Sequence, residues 1–65
     1  MKMLKTSNML RALMDTHELN VPQLSKISNV SPYILRKILA GEQKGNSITW
    51  VKIYKGLNAS VFYES

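Results

Sequence analysis

The chain has 65 residues, too few for two ordinary domains, and nine Lys and Arg against four Asp and Glu give it a formal net charge of +5. That excess favours a polyanionic partner, although solvated surface charge produces the same balance. At 45% hydrophobic and 20% charged the composition is that of a folding chain, and the absence of cysteine excludes disulfides and thiolate zinc sites and suits a reducing cytoplasm.

Apolar residues recur at helical spacing almost throughout, with breaks around Asn20 to Pro22, Asn29 to Pro32, Gly41 to Ser47 and Asn58 to Ser60. The expected fold is all-α, a single domain over residues 1–65 built from four to five short helices. The N-terminal run Met-Lys-Met-Leu-Lys-Thr-Ser-Asn has no apolar stretch long enough for a signal peptide or a membrane span, so no membrane is expected as a partner. The first helix is expected from about Lys2 to His17, with Met3, Leu10, Leu13 and Met14 on one face and Leu19 closing the turn. Asn20 precedes a helix of about two turns, in which Pro22 occupies the first turn, where its missing N–H costs nothing. Leu24 and Ile27 should point inward, and the helix should stop at Asn29, which tolerates a left-handed backbone, with Val30 filling the gap beneath. Ser31 as N-cap and Pro32 as first helical residue restart the chain, and Gly41 ends that helix. After a polar loop from Glu42 to Asn46, the residues Ile48, Trp50, Val51, Ile53, Tyr54 and Leu57 predict an apolar fourth helix capped near Ser47 or Thr49. Val61, Phe62 and Tyr63 are read either as a fifth short helix closing the core or as an exposed dimer seam.

The segment from Pro32 to Ala40 has two opposed stripes. Leu35, Ile38 and Leu39, flanked by Ile34, form one, and Tyr33, Arg36, Lys37 and Ala40 form the other. Two cations beside an aromatic donor suit phosphates, guanine edges and stacked contacts in a DNA groove. An ordinary solvated amphipathic helix carries the same pattern.

The run from Asn20 to Gly41, a short helix, an Asn-Val turn and a Ser-Pro cap, resembles the helix-turn-helix of the lambda repressor and Cro-like family. The resemblance puts Ser25 at the family's small-residue slot, Asn29 at its turn glycine, Val30 at the buried residue after the turn, and Leu35 and Ile38 at the inward positions of the recognition helix. The Trp50, Ile53, Leu57 series resembles the family's fourth helix, so the likeness covers nearly the whole chain. It implies a recognition helix in the major groove of double-stranded DNA, with Ser31, Pro32, Tyr33, Arg36 and Lys37 at the base edges. Pro32 offers only apolar contact there. It also implies phosphate contacts from Asn20, the Val21 backbone N–H, Gln43, Lys44 and Asn46, which set register and carry little sequence information. Lys44 is equally readable as a solvated loop lysine, and Tyr33 as a half-buried aromatic covering its neighbours. The implied function is that of a small transcriptional regulator, a Cro-like repressor of phage or mobile-element type, binding an inverted repeat as a homodimer through Val61, Phe62 and Tyr63.

The chain departs from the family pattern in two respects. Where relatives often pair a buried Arg on the first helix with a Glu near the end of the recognition helix, this chain holds Met14 and Leu39, a joint apolar replacement that is often neutral or stabilising. Where many relatives carry a bracing Gln, it holds Val21. Catalysis, cofactors and small-molecule ligands are not expected: His17 is the single histidine, and the Gly41 to Asn46 loop lacks phosphate-loop spacing. The rival reading is a protein-interaction module, antitoxin-like or anti-repressor-like, on the same fold.

Overall fold

A computed structural model describes the backbone of residues 5–64 and the side chains of residues 5–58. It contains four helices and, among the described residues, no strand: α1 Lys5–His17, α2 Val21–Ser28, α3 Pro32–Leu39 and α4 Ser47–Glu64. No helix among the described residues is long and apolar enough to cross a membrane. The expected positions Lys2 and Met3 lie outside the described residues.

Each helix boundary has a chemical cause. α1 ends in a left-handed residue, Glu18 at φ 55°, with Glu18 N–H donating to Asp15 O at 3.2 Å and Leu19 N–H to Met14 O at 2.9 Å. That bond pair defines a Schellman motif. Leu19 closes it as expected, packed against the core. At the start of α2 a complete capping box forms: Asn20 Oδ1 accepts from Gln23 N–H and Gln23 Oε1 accepts from Asn20 N–H, both at 2.9 Å. α2 ends at Asn29, φ 60° and ψ 32°, and Val30 turns inward to 5% exposure, as the residue types require. Ser31 then caps α3 by accepting from Tyr33 N–H, with Pro32 in its first turn. Gly41, at φ +80°, ends it in a second Schellman motif, Gly41 N–H to Ile38 O at 3.0 Å and Glu42 N–H to Lys37 O at 2.9 Å.

The core gathers Leu10 and Met14 of α1, Leu24 of α2, Val30 of the turn, Leu35 and Ile38 of α3, and Ile53 and Leu57 of α4. α3 packs on α1 and α2, and α4 on α2. Ser7, fully buried, donates to Ile38 O at 2.7 Å and pins α1 to the last turn of α3. α4 approaches α2 closely at Gly56, where an added Cβ would lie 2.6 Å from Ile27 O and 2.8 Å from Ser28 Cα. Any side chain there meets backbone.

Two expectations about α4 are corrected. No break occurs around Asn58 to Ser60, so there is no separate fifth helix: α4 runs unbroken to Glu64. Asn and Ser cost a helix less than a kcal/mol each, ~0.7 at most, and with Ala59 between them and no proline nearby the ladder continues. The cap is Asn46 rather than Ser47 or Thr49, since Asn46 Oδ1 accepts from Thr49 N–H at 2.8 Å. The apolar residues of this helix also divide between two sides: Ile53 and Leu57 are buried and Trp50 partly so, whereas Ile48 is 66%, Val51 51% and Tyr54 42% exposed.

Candidate functional site

The turn between α2 and α3 is braced by two serines. Ser25 Oγ donates to Val30 O at 2.7 Å, and Ser28 Oγ donates to Leu24 O at 2.6 Å while accepting from Val30 N–H at 3.3 Å. Both polar groups of Val30 are thereby satisfied although its side chain is buried, which fixes the angle at which α3 leaves the turn. Reading Ser25 only as a small residue missed this bond. A hydroxyl within reach of a buried turn carbonyl was its available signal.

α3 divides as its sequence predicts. Leu35 and Ile38 are fully buried, Ile34 and Leu39 pack against the core, and Ser31, Pro32, Tyr33, Arg36 and Ala40 are exposed. Lys37 is partly exposed, its side chain at 34%. Tyr33 is 63% exposed, which overturns its alternative reading as a half-buried aromatic. Its ring instead lies 5.2 Å from Lys37 Nζ, a cation–π contact.

At the same ammonium, Glu42 Oε1 accepts from Lys37 Nζ at 2.7 Å, the one ion pair among the described residues. The hydrogen bond to Glu42, and after it the interaction with Tyr33, raise the Lys37 ammonium above the ordinary lysine value. It therefore stays charged at neutral pH. Tyr33, Arg36, Lys37, Ala40 and Glu42 together line an open depression of about 220 Å³ on the outer surface of α3. This floor of cations and one ring, with a single carboxylate at its edge, can donate hydrogen bonds to acceptors and stack on a planar group.

The residues expected to hold phosphates flank this surface in sequence. Asn20 and Asn46 each spend their side-chain oxygen on a helix cap, so each has an amide NH2 left to donate. Gln23 and Asn20 are locked in the capping box, and the Val21 side chain packs against the core. Gln43 and Lys44 are exposed, and the Lys44 carbonyl is held by Trp50 Nε1–H at 2.8 Å, which fixes the loop backbone beneath its side chain. The side chains of Val61, Phe62 and Tyr63 lie outside the described residues, although their backbone belongs to α4.

The two apolar replacements also have their places: Met14 is buried and Leu39 packs against the same core. Sequence reasoning missed Arg11, whose Nη2 donates to Leu39 O at 3.3 Å and so supplies a cation at the end of α3. Comparison with known proteins finds no match: no family model, no curated protein and no solved structure.

Proposed function

We propose that the chain is a sequence-specific double-stranded DNA-binding domain of the lambda repressor and Cro-like helix-turn-helix kind, acting as a small transcriptional regulator in the cytoplasm. The observation that carries the reading is the outer surface of α3, where Tyr33, Arg36 and Lys37 stand together on a helix whose opposite side is locked into the core. An eight-residue helix is about 12 Å long, comparable to the width of the major groove. The rigid α2–α3 turn, with Asn29 in the left-handed conformation, supports it by giving α3 one fixed presentation.

In this reading Ser31, Tyr33, Arg36 and Lys37 face base edges, with Pro32 in apolar contact. The Asn20 and Asn46 amides, the Val21 N–H, Gln43 and Lys44 hold the backbone. The chain acts by occupying its site, as a homodimer on an inverted repeat, with no catalysis or cofactor.

A second reading is favoured by a specific observation, the exposed Ile48, Val51 and Tyr54 on α4, which suit a protein partner. Selection from a randomised duplex pool at about 0.1 M salt, where phosphate contacts are only partly screened, separates the two. Enrichment of an inverted repeat with fixed half-site spacing is the expected result. Absence of enrichment by folded protein transfers the function to the protein-interaction reading.

A further inference from the structure

A carboxylate sits where a surface built for a polyanion has least use for one. Its position is set by the main chain. In the Schellman motif that ends α3, Glu42 N–H donates to Lys37 O at 2.9 Å, and the two side chains leave that bonded pair side by side to meet at 2.7 Å. The corresponding positions at the end of α1 are Met14 and Leu19, joined by the same backbone bond at 2.9 Å, Met14 in the core and Leu19 packed against it. The motif usually carries an apolar contact at this place. α1 has apolar residues at both places, and α3 has an exposed ion pair there, Glu42 being 57% exposed. Because the backbone already holds the pair together, little side-chain freedom is lost in forming it.

Lys37 has three N–H donors, of which Glu42 engages one and the Tyr33 ring covers another direction at 5.2 Å. A phosphate approaching the remaining donor meets the Glu42 charge next to it and is repelled. A neutral acceptor, such as guanine O6 or N7, is not. We infer that Glu42 is a specificity-determining residue, which acts through Lys37 by withholding that ammonium from phosphates and reserving it for a neutral acceptor on a base edge. The inference rests on the DNA-binding reading above.

The test compares wild type, Glu42→Gln, Glu42→Asp, Lys37→Ala and the Lys37→Ala/Glu42→Gln double variant, each verified as folded, on the selected duplex and on random duplex over a salt series. For Glu42→Gln the expected result is a rise in random-duplex affinity of up to about fivefold, the range of an exposed ion pair, with the slope of log K against log salt steeper by about 0.9. The ratio of selected to random affinity falls. Glu42→Asp keeps the wild-type slope, and in the Lys37→Ala background Glu42→Gln leaves the slope unchanged. An unchanged slope and ratio in Glu42→Gln, or the same change with Lys37 absent, overturns the inference while DNA binding stands. Wild-type protein that prefers no duplex sequence overturns the function proposed above, and this inference with it.

Discussion

The third and fourth helices divide core from solvent in different ways. α3 is eight residues long, bounded by Ser31 and Pro32 at one end and Gly41 at the other, and its apolar residues occupy one side. α4 is 18 residues long, contains no proline, and places apolar side chains both in the core and in water. In α3 a short frame and a sharp alternation leave one way to pack. In α4 the apolar content exceeds what α2 can cover, and the buried side is chosen by Gly56, the position that lets the two backbones meet. Apolarity says that a helix packs, and steric access decides with which side.

The contrast is broken most forcefully at Gly56. Gly56→Val would drive a branched side chain into Ile27 O and Ser28 Cα, and it is expected to destabilise the domain by about 3 kcal/mol, the upper part of the overpacking range. Thermal or urea denaturation measures it. Gly56→Ala separates sterics from propensity, since alanine would favour the helix by about 1 kcal/mol if the site were open. A stabilised Gly56→Ala would show that a Cβ at this position has more room than the 2.6 Å to Ile27 O allows.

The outer side of α3 is sharpened by Arg36→Ala. With its side chain exposed, the substitution should leave the melting temperature unchanged and weaken binding to the selected duplex by about 1 to 3 kcal/mol, with relaxed preference at one base pair. Equal weakening on every sequence would assign Arg36 to the phosphates instead. The inner side is probed by Ser7→Ala, which removes the bond to Ile38 O. That carbonyl also accepts from Gly41 N–H at 3.0 Å, so it is not orphaned, and the expected loss is about 1 kcal/mol by denaturation.

These substitutions also trace what could be read along the chain. The segment from Asn20 to Gly41 was legible because its boundaries are set by residues with distinctive local chemistry: an Asn cap, an Asn in left-handed backbone, a Ser-Pro start and a terminal Gly. So were the two sides of α3. Glu18 was not, because glutamate has no preference for the left-handed conformation it adopts, and the motif there is held by the burial of Met14 and Leu19. Ser7 left a trace, a small polar residue at helical spacing from Leu10 and Met14, but its partner Ile38 is 31 positions away. The Lys37 and Glu42 pairing was hidden for a related reason. Their separation of five residues is not a helical neighbour spacing, and only the reversal of the chain at Gly41 brings them together.

Little effect on stability is expected on the solvent side of α4. Ile48→Ser and Val51→Ser remove apolar groups that are 66% and 51% exposed, so monomer stability should change by no more than about 0.5 kcal/mol. Association is a different matter. If α4 supplies the dimer seam, these residues continue along the same unbroken helix that carries Val61, Phe62 and Tyr63, and the double variant should shift the monomer–dimer equilibrium toward monomer. Sedimentation across a concentration series reads that shift directly. A dimer of unchanged affinity would move the seam off this side of α4, whereas a loss of pairing would give the surplus apolar residues of the helix the partner surface that α2 does not provide.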